Sequence, residues 1–304
     1  DVPQMGLPTP WYLYNEMFLG LTQEDIILEG FLSNEGKTRK LMLLAAYVTL
    51  IQNQSFLFMS NEMSEKKLRS CLITTVLNNK EFKKLHGVQL MKPEKEIVLG
   101  VYKDRNGEII RRKIDGEGNY IETKDEYLNR IQDNSDEYWD VIKATNWMDE
   151  HNNGKLLFKD VGTDYSDRQL EFELRKYRAT SNVIYYAYDT LKGYRSEDWS
   201  VIKQTATRLK ELTKELGMSG FIVFQLTDDT VFTDVFSLSS NNIAGAKGMK
   251  HVTDALTLGK KISKDEYHKY QIVMENEVWG EPTIEDLNYE KQYFAIKADK
   301  NRAG

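Results

Sequence analysis

Short apolar runs alternate with helically spaced apolar positions along this chain. Ile26-Ile27-Leu28 is one such run, and Leu41 to Val48 reads as a helix. Ser55 to Ser60 is short and apolar, the pattern of a buried strand. Leu68, Leu72, Ile73 and Val76 then recur at helical spacing. Leu156-Leu157-Phe158 predicts a short strand, and Asp167 to Tyr177 a helix with its charges on one face. Val183 to Asp189 predicts a central strand ending in a carboxylate. Trp199 to Leu216 is a long amphipathic pattern that Gly217 stops. Phe221 to Gln225 is the next strand; residues 255–258, 270–274 and 292–296 are further apolar runs. Strands alternating with helices predict an α/β fold with a mostly parallel central sheet. The strand-rich end predicts antiparallel additions at the C-terminal end.

Two tracts break this rhythm. Val98 to Tyr102 and Glu108 to Arg111 flank Arg105-Asn106-Gly107, a hairpin signal. Asp115 to Asn119 supplies a second turn before Tyr120-Ile121. Residues 123–153 are polar, with Tyr138, Trp139, Val141, Ile142 and Trp147 on a helix. The whole of 94–153 reads as an insertion carrying a small β-hairpin, within a single domain of residues 1–304. The tract 228–250 is poor in apolar periodicity and holds Gly245, Lys247, Gly248 and Lys250.

Composition narrows the function classes. With 304 residues, 40% hydrophobic, the chain can bury a sizeable core. A net charge of −6 rules out a surface that coats duplex DNA by bulk charge, so any nucleic-acid site must be local. No apolar run approaches the length needed to cross a bilayer, and a membrane partner is not expected. Asp1-Val2-Pro3-Gln4 lacks the basic start of a signal peptide. The abrupt start and the end at Gly304 read as cut points in a longer protein. Cys71 is the single cysteine, which excludes an internal disulfide and fits a reducing cytoplasm. Its expected place is a helix facing the core.

The chemistry centres on residues 30–38, Gly-Phe-Leu-Ser-Asn-Glu-Gly-Lys-Thr. A strand, a turn ending in Gly-Lys-Thr and a helix make a phosphate cradle of backbone N–H groups at a helix N-terminus. Lys37 would reach the β- and γ-phosphates, and the Thr38 hydroxyl would help hold Mg²⁺. Phe31 stands where this motif carries its first glycine. Ligands of parallel sheets sit at the carboxyl ends of the strands, and three polar side chains fall there: Glu62, Asp189 and Gln225. Phosphoryl transfer to water needs a supported metal ion, a positioned water and a γ-phosphate sensor, roles that suit Asp189, Glu62 and Gln225 in turn. Each also has an ordinary use: a turn cap, a carboxylate favoured by a helix dipole, a loop amide.

With these residues in place, the chain resembles the C-terminal, RecA-like ATPase domain of DnaB-type hexameric replicative DNA helicases. Residues 21–38 resemble the entry to that family's P-loop. Phe58 to Ser64 resembles its Glu-Met-Ser motif, Tyr188 to Leu191 its Walker B strand end, and Phe224 to Thr227 its Ser-Gln-Leu motif. Ile296 to Gly304 resembles its terminal Lys-x-Arg-x-Gly hairpin. The resemblance implies an ATP-dependent helicase motor that works with Mg²⁺ during DNA replication. Ser33, Asn34, Glu35, Gly36, Lys37, Thr38 and Arg39 would bind the nucleotide, with Thr38 and Asp189 on the metal. Glu62 would be the catalytic base and Gln225 the sensor, while Lys300 and Arg302 would reach the γ-phosphate of a neighbouring subunit in a homo-oligomer, expected to be a hexamer. Single-stranded DNA would thread the ring past residues 237–250, held by Asn241, Asn242, Lys247 and Lys250. A primase or a helicase loader would be a further partner, through an N-terminal domain outside these residues.

The sequence departs from the family at Phe31, at Cys71 where arginine is frequent, and at Thr227-Asp228-Asp229-Thr230, where the family is rich in arginine. Two other readings stay open, the second of them motivated by Phe31 and the missing arginines. One is a RecA-like ATPase that loads or remodels DNA without unwinding. The other is a degenerate nucleotide-binding scaffold that assembles without turnover.

Overall fold

A computed structural model of the chain describes residues 5–33, 35–162, 165–191, 199–226, 228–240, 246–274 and 283–301. Six of its strands run parallel: β1 (Ile26–Phe31), β2 (Phe56–Ser60), β3 (Leu156–Asp160), β4 (Tyr185–Leu191), β5 (Ser219–Gln225) and β6 (Ala255–Lys261). A short hairpin, β7 (Gln271–Met274) with β8 (Thr283–Asp286), forms its own sheet. Strand β9 (Phe294–Asn301) closes the main sheet antiparallel to β6, giving seven strands in the order β3-β2-β4-β5-β1-β6-β9. The sheet is thus mostly parallel with antiparallel additions at the C-terminal end, as the pattern predicts.

Both faces of the sheet are covered, which is why its central strands are almost continuously apolar. Ile27, Phe58, Ala187 and Val223 face the helices α1 (Tyr12–Phe18), α2 (Lys37–Ala46) and α3 (Glu65–Asn78). Ile26, Leu28, Tyr186, Tyr188 and Ile222 face α8 (Asp167–Ser181) and α9 (Trp199–Glu215). Between these groups lie α4 (Lys80–His86), α5 (Glu94–Leu99), α6 (Lys124–Asn134) and α7 (Asp136–Asn152). The four-residue α10 (Ala246–Met249) precedes β6.

The insertion differs from its prediction in detail. Val98 and Leu99 belong to helix α5 and not to a strand. Pro93 starts that helix, Glu94 and Glu96 favour its N-terminal dipole, and Gly100 ends it in the left-handed region at φ 62°. The two turns that follow are present, each closed by a single bridge, Lys103 to Ile109 and Ile114 to Tyr120. Main-chain bonds such as Asp104 N–H to Glu108 O and Asp115 N–H to Asn119 O close each turn, and side chains reinforce them. Asp104 Oδ1 accepts the N–H groups of Asn106 and Glu108, both at 2.9 Å. Asp115 accepts those of Glu117 and Asn119 in the same way, which holds its carboxyl below the usual range. Helix α7, the polar tract of the sequence, packs on α3 and sends Met148 into the main core.

Candidate active site

Register brings the polar strand ends to one edge of the sheet. Phe31 pairs with Gln225, and Ser60 with Asp189. At the end of β1 the chain turns through Gly36, which sits at φ 86°, a conformation cheap only for glycine. Helix α2 starts at the next residue, so its unpaired N–H groups open onto the edge where the strands end.

Six side chains meet at this edge. Lys37 is 7% exposed and places its ammonium 3.0 Å from Glu62 Oε1. Glu62 is held in the turn after β2, where its N–H and that of Met63 both donate to Ser60 Oγ. The Thr38 hydroxyl donates to Asp189 Oδ2 at 2.6 Å, and Asp189 is fully buried. Asn61 clasps β2 to β4: its N–H donates to the Asp189 carbonyl at 2.9 Å and its amide to the Thr190 carbonyl at 2.8 Å. Gln225 is half-buried and lines the same cleft as Lys37, Thr38 and Glu62. The cleft encloses about 1160 Å³, ample for a nucleotide.

The remaining cradle residues hold the loop in place. Ser33 is exposed on the cleft wall. Glu35 accepts the Lys261 N–H at 3.1 Å, tying the loop to the end of β6, and burial raises its carboxyl above the usual range. Arg39 donates to Glu94 at 3.0 Å, which joins α2 to the insertion. Asn34 lies outside the described residues. Phe31 lays its ring over β6 at Gly259, where an added Cβ would stand 2.2 Å from Phe31 Cε1. Cys71 is buried on α3, and burial pushes its thiol to about 12, so it stays protonated and unreactive at neutral pH.

A metal ion has a donor set here. Among the described residues no group of three or more His, Cys, Asp or Glu side chains is gathered to hold one. Mg²⁺ does not need such a cage. It binds through one or two protein oxygens plus phosphates and water, and the Thr38 hydroxyl beside the buried Asp189 carboxylate fits that demand.

The residues expected to act between subunits or on DNA lie elsewhere. Lys300 pairs across from Leu256, toward the opposite end of β6 from the cleft. Its ammonium donates to the carbonyls of Lys250 at 2.8 Å and Thr253 at 2.5 Å. Lys250 in turn lies 3.4 Å from Asp299, the residue bulged out where the β6–β9 register shifts. Arg302, Asn241 and Asn242 fall outside the described residues, as does the side chain of Lys247.

Sequence reasoning missed several residues of this cleft. Asn61 carries no signal beyond its place beside Glu62. Gly259 does carry one: a glycine inside a strand pattern marks a close approach of other atoms. Lys40 is a further omission. Its ammonium is enclosed by Glu29 Oε1 at 2.5 Å and the Tyr14 hydroxyl at 2.6 Å, on the cleft wall beside Trp11. Burial lowers the Lys40 pKa, and Glu29 opposes that shift.

No protein-family model matches the chain, and no curated protein does. Solved structures do. A DnaB-like replicative helicase, described with its interactions with primase, superposes with a TM-score of 0.59 at 14% identity. That match covers 98% of this chain and 61% of the other, so the chain spans about three fifths of that helicase's length. A second solved structure, described as an ATPase domain, superposes with a TM-score of 0.61 at 13% identity, covering 93% of this chain and 88% of that one. The chain therefore has the RecA-like fold of DnaB-type helicase ATPase domains. No helix among its described residues is long and apolar enough to cross a membrane.

Proposed function

We propose that this chain is the ATP-hydrolysing motor of a ring-shaped DNA helicase that moves on single-stranded DNA during replication. The observation that carries the reading is the meeting of Lys37, Thr38, Glu62 and Gln225 on one cleft at the carboxyl edge of a parallel sheet, with the buried Asp189 carboxylate accepting from the Thr38 hydroxyl. A triphosphate in the cradle competes with Glu62 for the Lys37 ammonium. Glu62, released, orients a water and accepts its proton. Gln225 lies at the end of β5, next to β1, and would sense the γ-phosphate. Mg²⁺, held by Thr38 and Asp189, would neutralise charge on the phosphates.

Completion of the site falls to a neighbouring subunit. Lys300 lies at the far end of β9 from its own cleft, so any contact it makes with a phosphate is made in trans, the role also proposed for Arg302. DNA contact falls to Asn241, Asn242, Lys247 and Lys250, and a primase or loader would be the partner outside the motor.

Phosphate release measured against protein concentration, with and without oligo-dT, tests this. A site shared between subunits requires a steep rise with concentration and stimulation by the oligonucleotide. Loss of release in Lys37→Ala is expected, and unchanged turnover in that variant would sink the reading. The engagement of the Lys250 amine with Asp299 favours one alternative, an ATPase that remodels DNA without unwinding it. Strand displacement on forked DNA separates the two.

A further inference from the structure

Glu62 and Asp189 come from adjacent strands, and a third residue ties one to the other. Strands β2 and β4 pair over five rungs, the last of them Ser60 with Asp189. Glu62 lies two residues beyond that rung, past the end of the ladder. Asn61 spans the gap. Its amide donates to the Thr190 carbonyl at 2.8 Å and to the Tyr188 hydroxyl at 3.3 Å, and its Oδ1 accepts the Thr190 N–H at 3.2 Å. Its own N–H donates to the Asp189 carbonyl at 2.9 Å. Asn61 thus engages both polar groups of the peptide that follows Asp189. On its other side, Ser60 Oγ accepts the N–H groups of Glu62 and Met63. Glu62 therefore leaves β2 from a bound main chain, and Asn61 refers that main chain to β4.

Holding the strands together does not call for this clasp. The rungs and the apolar faces of β2 and β4 already join them. Asn61 stands half-buried on the cleft wall, outside the core. Its bonds run between the Lys37–Glu62 pair and the Thr38–Asp189 pair. Rate depends steeply on such spacing, and a displacement of about 1 Å can cost about a hundredfold. Building on the ATPase reading above, we propose that Asn61 is a positioning residue that sets the base Glu62 against the carboxylate Asp189. It acts through these two acids and not by holding the nucleotide.

Two variants of the full chain test this. Asn61→Leu keeps the size and removes the side-chain bonds, and Asn61→Ala removes them without apolar bulk. Phosphate release gives kcat and the KM for ATP. Titration calorimetry with Mg²⁺ gives the affinity for ADP, alone and with aluminium fluoride. ADP reports on the cradle and on folding. ADP with aluminium fluoride imitates the phosphoryl group in transfer with its water in line, so it needs the acids correctly spaced. In both variants kcat should fall about 10–100-fold, and ADP with aluminium fluoride should weaken by a similar factor. The affinity for ADP alone and the KM should stay within about twofold of the wild type. Unchanged kcat in both variants, or ADP weakened as much as ADP with aluminium fluoride, would overturn the proposal. If Asn61→Leu alone loses ADP, it has misfolded and Asn61→Ala decides. A wild-type chain that releases no phosphate would overturn the ATPase reading and the proposal with it, a result distinct from the others.

Discussion

Gly259→Ala tests how the chain accommodates a phenylalanine at the mouth of its P-loop. The new methyl group would stand 2.2, 2.7 and 2.8 Å from three carbons of the Phe31 ring. Carbon atoms rest about 3.5–4.0 Å apart, so the ring must retreat by about 1.3 Å or more. It has little room: Phe31 is 2% exposed, and the Lys40 ammonium lies 5.5 Å from its centroid. Overpacking of this kind costs about 1–3 kcal/mol. Alanine returns about 0.5–1 kcal/mol of that by restricting the unfolded chain. The two ranges leave about 0–2.5 kcal/mol, and the 2.2 Å contact puts the expected net loss in the upper half of that range, read from urea denaturation midpoints at unchanged slope. The cycle with Phe31→Leu is the decisive part. In that background the methyl group meets a smaller, more adaptable side chain, and its cost should fall below about 0.5 kcal/mol. Equal costs in the two backgrounds, or a neutral Gly259→Ala, would refute the account of Phe31.

Other changes have calculable outcomes. Lys40→Met leaves the fully buried Glu29 carboxylate without its cation and should cost about 3–5 kcal/mol in denaturation, while Glu29→Gln in the same protein should recover most of it. Glu35 titrates above its unfolded value, so the native state holds the proton more tightly and stability falls as pH rises through the carboxylate range. Glu35→Gln should therefore be more stable than the parent at pH 7, with the gap closing toward acid pH, as followed by thermal melts across pH. Asp189→Asn removes the charge that accepts from Thr38 and should raise the Mg²⁺ concentration needed for half-maximal phosphate release by about 10–100-fold.

Much of this arrangement is written into local pattern. Six apolar runs separated by helices define a parallel sheet, and in such a sheet a polar residue at a run's end has only one edge to go to. Glu62, Asp189 and Gln225 come to the same edge for that reason. What local pattern leaves out is pairing between distant positions. Phe31 looks like a defect until Gly259, on a neighbouring strand, is seen beneath its ring. Glu29 and Lys40 read as surface charges, yet sheet face and helix bring them together with Tyr14 and Thr257. The helix at Glu94–Leu99 was hidden because a short apolar run suits either period, and Pro93 with its two glutamates decides the matter.

Strand alternation also guards the chemistry. Tyr186 and Tyr188 point to one layer of helices, and Tyr185 and Ala187 to the other. Asp189 follows in the second set. Sliding β4 by a single position would exchange the two sets, swing a phenol toward Thr38 and drive the carboxylate into hydrocarbon. The oil-loving majority of the strand thus acts as a vernier for its one acid, and a bulky replacement at Ala187, two positions short of the acid, would be felt first as a fault in alignment and only second as a loss of stability.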